Sequence, residues 1–150
     1  MVPMHEEFLR ALLGAFFGTL GFAWLAHAPR RAWLPSGLVA SLVYVLYRLL
    51  VFRGVADPLA IFCSALVGSL AGQLCARKLK MINTVFLMAA VVPVVPGLGL
   101  YRTMAFLGSG QTALGASQGI QAMITIAMTS LGLAMGSFLD RSFHRRKLRS

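Results

Sequence analysis

Long uncharged apolar runs alternate along this chain with short clusters of basic residues. Residues 11–29 and 58–76 are uncharged runs of 19 residues each, and residues 81–101 form one of 21. Each meets the roughly 20 apolar residues that a helix needs to cross a bilayer. Residues 32–47 give a run of 16, which extends to Phe52 if Arg48 snorkels or faces a partner. The run from Thr103 to Leu139 is 37 residues, too long for one span. The pattern predicts an all-α, polytopic integral membrane protein in a single domain over 1–150. About five transmembrane helices are expected, near 8–28, 33–52, 59–76, 81–101 and 119–139, with a basic cytoplasmic tail over 140–150.

Small residues mark the faces on which these helices should pack, because helices in lipid associate through close backbone approach. Gly14, Gly18 and Gly21 lie close together on the first helix. Ala65, Gly68, Gly72 and Ala76 form a similar face on the third, with Gln73 as its polar exception. Gln121, Thr125, Thr129, Gly132 and Gly136 form a polar, small stripe on the last. Asp57 before Pro58 reads as a helix-start cap. Thr103 to Gln121 is weakly apolar and rich in Gly, Ser and Gln, and is expected to be re-entrant or interfacial.

One stretch departs from the helical pattern. Met88 to Thr103 reads MAAVVPVVPGLGLYRT. Pro96 cannot donate a backbone hydrogen bond, and it disfavours a helical Val95. Gly97 and Gly99 permit a turn and a close approach. The fourth helix is therefore expected to break, with Pro93 and Pro96 as its hinge. Non-helical backbone inside a membrane is tolerated only where it is packed in protein or lines a wet cavity. A helix restarting after such a break presents N–H groups that attract anions, and Arg102 is a bidentate partner for a carboxylate. The expected substrate-binding residues are Gly97, Gly99, Tyr101, Arg102 and Thr103, with Gln121, Thr125 and Thr129 facing the same cavity. Transporters hold substrates on broken helices of this kind. A kinked helix with Arg102 at the outer interface is the plainer alternative.

Composition agrees with the membrane reading. The chain is 58% hydrophobic and 12% charged, where a soluble domain has about 25% charged residues. The net charge of +10 does not point to nucleic acid, because the basic residues cap apolar runs instead of lining a solvated face. Ten of the Lys and Arg residues fall on one side of a five-span chain and four on the other. Cytoplasmic loops collect these residues, so the N-terminus is expected outside and the C-terminus in the cytoplasm. The first apolar run is read as a retained helix. Cys63 and Cys75 lie twelve residues apart on one helix, too far for a mutual disulfide. His5, His27 and His144 show no metal-ligand spacing, and no cofactor is expected. Ser109, between Gly108 and Gly110, has no histidine or acid placed to activate it, so an enzyme is not expected. Glu6, Glu7, Asp57 and Asp140 all fall at expected helix ends, which leaves no acid inside a span to couple protons.

Two segments carry a family resemblance. The stretch PVVPGLGLYRTM resembles the PLVPGSGLYR-type signature of the threonine/serine exporter family, matching at Pro93, Pro96, Gly97, Gly99, Leu100, Tyr101 and Arg102. Gly21 to Leu50 resembles that family's first helix, PRR turn and second helix. The chain is similar to the small, C-terminal-type membrane half. The resemblance implies a subunit of a secondary transporter in the bacterial inner membrane. It also implies a larger membrane partner of the same family, an oligomer, and export of threonine and serine or of dicarboxylates such as succinate. Leu98 replaces a small polar residue of the signature and would remove one hydroxyl from the site. A structural or regulatory subunit that does not itself transport is the alternative.

Overall fold

The computed structural model describes residues 4–92 and 97–147. Within them the chain forms six α-helices: α1 (Met4–Leu25), α2 (Arg30–Phe52), α3 (Asp57–Leu79), α4 (Asn83–Val91), α5 (Gly97–Gly108) and α6 (Thr112–Lys147). Three are long and apolar enough to cross a membrane: α2, α3 and the Thr112–Asp140 part of α6. Leu12–Leu25 of α1 is a shorter apolar helix. At 1.5 Å per residue, α4 and α5 rise only about 14 and 18 Å, roughly half of a hydrocarbon core each. They flank the expected break, but Pro93 and Pro96 lie outside the described residues. The chain is a multi-pass, all-helical membrane protein.

Four helices stop by the same device. The residue just past the helix turns left-handed and bonds back three residues, while the next bonds back five, which satisfies the last free carbonyls. After α2 the left-handed residue is Gly54 and after α5 it is Gly110, both free of a Cβ penalty. After α1 it is His27 and after α3 it is Lys80, each with φ 53°. A side chain in that conformation costs about 1–2 kcal/mol. Restarts are plain. Pro29 is extended before α2, and the indole Nε1 of Trp33 donates to the Ala28 carbonyl at 2.9 Å. Pro58 sits in the first turn of α3, where its missing N–H is harmless. Asp57 is not the cap expected of it. Ala56 occupies that position with no side-chain bond, and Asp57 instead complements the dipole from within the first turn.

The α3 helix is the centre of the bundle, packing against α2, α4 and α6. Its expected small face is buried: Ala65, Gly68, Gly72 and Ala76, with Gln73 among them. Phe86 of α4 is fully buried against Gly72, in a cluster with Ala32 and Ala76. Val39, Val43 and Ile61 form the second cluster, with Cys75 at the edge of both. Both cysteines are free thiols. The many large exposed apolar side chains, such as Leu34, Leu38 and Phe138, suit a lipid-facing surface.

Gly14, Gly18 and Gly21 are open among the described residues: a Cβ at any of them would meet nothing within 4 Å, which leaves that face to a partner. The α1–α2 contact instead puts the Phe16 ring over Gly37. The last helix begins at Thr112, not Gly119, and runs unbroken through Lys147. Residues 103–119 are thus helical apart from one turn. They complete α5, turn at Gly110 and open α6. Their low hydropathy comes from small residues that suit a close helix pair: Leu107 lies over Gly115, and Thr103 over Gly119.

Candidate functional site

The α5 helix starts at Gly97, within the signature stretch. It contains no buried residue and packs against α6. Gly97 is exposed, and a Cβ there would meet nothing within 4 Å. Tyr101 is 69% exposed and Arg102 is exposed. Thr103 turns inward. Its hydroxyl donates to the Gly99 carbonyl at 2.8 Å, and its methyl faces Gly119 of α6.

The polar stripe of α6 divides in two. Gln121 is exposed and Thr125 half-buried, while Thr129, Gly132 and Gly136 are buried. The latter two press on α3: a Cβ at Gly132 would lie 2.6 Å from the Phe62 carbonyl oxygen, and one at Gly136 would lie 2.7 Å from Ser69 Cβ. Thr125 and Thr129 donate to the carbonyls of Gln121 and Thr125, at 3.0 and 2.8 Å. Each threonine hydroxyl of the expected site thus spends its proton on its own helix and keeps only acceptor capacity. The α5–α6 pairing brings Thr103 close to Gly119, two residues before Gln121. Arg102 and Tyr101 lie on the exposed side of α5 instead of lining either of two clefts elsewhere in the molecule.

The first of those clefts, about 340 Å³, lies at the basic end of the bundle between the end of α3, the start of α4 and the C-terminal part of α6. Gln73, Ala76, Arg77, Lys80, Met81, Asn83 and Asp140 line it. Arg77 and Asp140 form a salt bridge across it from α3 to α6, with the Asp140 side chain only 13% exposed. Gln73 is buried and donates to Ser69 Oγ at 3.1 Å, and Ser69 donates to the Leu133 carbonyl at 3.2 Å. The Asn83 Oδ1 atom is buried without a hydrogen-bond partner. The second cleft, about 380 Å³, is lined by Trp24, Leu25, His27, Ala28, Arg30 and Trp33. Both clefts carry one of the two left-handed non-glycine residues.

Sequence reasoning overlooked the first cleft because Asp140 was placed at a helix end. The helix in fact continues for seven residues beyond it. Gln73, the polar residue on a small-residue face, was the available signal.

The carbonyl-sparing glycine seam between α3 and α6 and the signature stretch at α5 both fall within one matched segment. Residues 11–139 match the family model described as Threonine/Serine exporter, ThrE. A threonine/serine exporter from Corynebacterium glutamicum is 27% identical over 144 residues, which cover 95% of this chain and 29% of that protein. The chain thus spans less than a third of the length of this relative. No solved structure matches. With the match extending from within α1 to the last residue of the apolar run in α6, the chain belongs to the threonine/serine exporter family.

Proposed function

We propose that this chain is the small membrane subunit of a secondary exporter of carboxylate-bearing metabolites, either threonine and serine or dicarboxylates such as succinate. It works in the cytoplasmic membrane with a larger membrane partner of the same family, its N-terminus outside and its C-terminus in the cytoplasm. The observation that carries this reading is the family match over residues 11–139, which includes the signature stretch at the start of α5. The carboxylate-binding element is the start of α5, with Gly97 and Gly99 giving access to the backbone and Arg102 pairing with the carboxylate. Tyr101, Thr103, Gln121 and Thr125 surround it, and Pro93 and Pro96 form its hinge. Exposure of Tyr101 and Arg102 fits a site completed by another chain.

Export of labelled threonine and succinate from cells carrying Arg102→Ala tests the assignment. Export should be abolished while membrane abundance is unchanged. Wild-type rates at equal abundance would remove Arg102 from the site. The exposure of α5 also favours a second reading, in which this chain only scaffolds the partner. In that case the assembled complex would bind substrate equally well whether or not Gly97 and Gly99 are altered.

A further inference from the structure

The cleft at the basic end is separate from the α5 element. Gln121 and Asp140 stand 19 positions apart on one continuous helix, about 28 Å along its axis. That separation keeps the cleft distinct from the residues around the start of α5. Three features of the cleft need an explanation. It holds a cation and an anion already at bonding distance, Arg77 and Asp140. It holds a second cation, Lys80, with no acid other than Asp140 among the residues lining the cleft. And it holds a buried acceptor, Asn83 Oδ1, with no donor, which is an expensive arrangement unless a ligand supplies one.

We propose that this cleft docks a small zwitterionic α-amino acid, its ammonium on Asp140 and Asn83 and its carboxylate on Arg77 and Lys80. The inference rests on the exporter reading and adds to it a second site and a choice among its substrates. An ammonium brings three donors and no acceptor, which suits a cleft lined by a carboxylate and an orphan carbonyl oxygen. A guanidinium and an ammonium lining the same cleft suit the carboxylate end. The ligand exchanges one ion pair for two and leaves the net charge of the cleft unchanged, so docking breaks the α3–α6 salt bridge without leaving either member bare. A dicarboxylate satisfies Arg77 and Lys80 but sets its second carboxylate against Asp140. The volume lies at the small end of the range typical of ligand pockets.

The test is competition for labelled L-threonine on native membranes containing the full chain with whatever it assembles with. Unlabelled L-threonine, N-acetyl-L-threonine and succinate serve as competitors. In the wild type, threonine should compete about tenfold better than either compound lacking an ammonium, the scale of one charge-assisted hydrogen-bonded contact. Asp140→Asn, which keeps size and hydrogen bonding, should cost threonine about tenfold while succinate holds or improves. Asn83→Ala, which leaves the salt bridge in place, should cost threonine a few-fold and the other two nothing; it carries the test if Asp140→Asn fails to reach the membrane. Equal loss for all three competitors would reduce Asp140 to a structural latch, and unchanged threonine affinity in both variants would remove the site. A wild type that exports succinate and ignores threonine would overturn this inference and leave the exporter reading standing. A wild type that exports neither would overturn both.

Discussion

The two halves of α6 make contacts of different kinds with the same residue type. Toward its C-terminal end, Gly132 and Gly136 meet the backbone of α3: the Phe62 carbonyl at 2.6 Å from a Cβ at the first, and the Leu66 carbonyl at 3.0 Å at the second. Toward its N-terminal end, Gly115 and Gly119 meet α5 chiefly through side chains, Leu107 and the Thr103 methyl. A backbone carbonyl on a central helix cannot move aside without shifting its own hydrogen-bond ladder, whereas a leucine or threonine side chain can. The α3–α6 seam therefore sets the register of the bundle, and the α5–α6 pair is free to adjust. The contacts along the seam run in the same order on both helices, with Phe62 at Gly132, Ser69 at Gly136 and Arg77 at Asp140. The helices are thus parallel and the seam ends at the basic cleft. This arrangement gives a rigid spine with a movable pair at one end and a charged latch at the other.

The sharpest way to break this comparison is to add one methyl group to the spine. Gly132→Ala should destabilise the folded protein by about 2–3 kcal/mol, the upper part of the usual overpacking range, because a carbonyl and the Ala65 Cβ at 2.9 Å both stand in the way. Gly136→Ala should cost slightly less, about 1–3 kcal/mol, since part of the obstruction is the Ser69 hydroxyl. Thermal unfolding in detergent, read as the loss of monodisperse protein, measures both. Wild-type stability in Gly132→Ala would mean that α6 does not lie on α3 in this register.

The spine was largely legible in the sequence, and the movable pair was not. Ala65, Gly68, Gly72 and Ala76 recur at helical spacing within an uncharged run, and burial of small residues is the only inexpensive way to join helices in lipid. Gly132 and Gly136 continued that logic. On α1, Gly14, Gly18 and Gly21 have the same spacing but no neighbour among the described residues. Spacing states that a helix can be approached closely, not that anything in the same chain approaches it. Residues 103–119 are the opposite case. Their low hydropathy left no span legible there, because hydropathy measures affinity for lipid and a helix lying along another helix needs less of it. The site stretch at Gly97 to Arg102 was visible through its glycines and arginine, yet whether those side chains converge on a cavity depends on contacts that no local pattern encodes. Asp140 was misjudged for a similar reason: a run of basic residues after it looked like a tail, although Arg and Lys are good helix formers and α6 simply continues.

A middle-sized effect should appear where side chains stitch the spine together. Ser69→Ala removes a hydroxyl that donates to the Leu133 carbonyl, accepts from Gln73 and lies 3.4 Å from Ser137 Oγ. Interhelical hydrogen bonds in membrane proteins average about 0.6 kcal/mol, so the expected loss is about 0.5–1.5 kcal/mol with the stranded Gln73 amide included. Ser109→Ala is the matched control at the turn between α5 and α6. Its hydroxyl bonds only the Phe106 carbonyl on an exposed surface, and stability should stay within about 0.5 kcal/mol. Equal effects at the two serines would erase the distinction between spine and movable pair.

The smallest change in stability should accompany an informative change in function. Gly119→Ala sets a Cβ 3.2 Å from the Thr103 methyl, a contact that a few tenths of an ångström of side-chain movement relieves. The substitution also gains up to about 1 kcal/mol of helix propensity. These terms oppose each other, and the net effect should stay within about 0.5 kcal/mol. Gly97→Ala meets no described residue within 4 Å and should be neutral or slightly stabilising. If the start of α5 approaches a substrate carboxylate, however, a methyl group at Gly97 stands where the ligand must come, and export should fall several-fold with stability intact. On the spine, export and stability should decline together, because a shifted α3 carries the rest of the bundle with it. On the movable pair they should separate. Measuring both quantities on Gly97→Ala, Gly119→Ala and Gly132→Ala in one preparation places each glycine on one side of that division. A Gly97→Ala protein that is as stable and as active as the wild type would leave α5 as scaffolding and move the search for the substrate to the charged cleft at the opposite end.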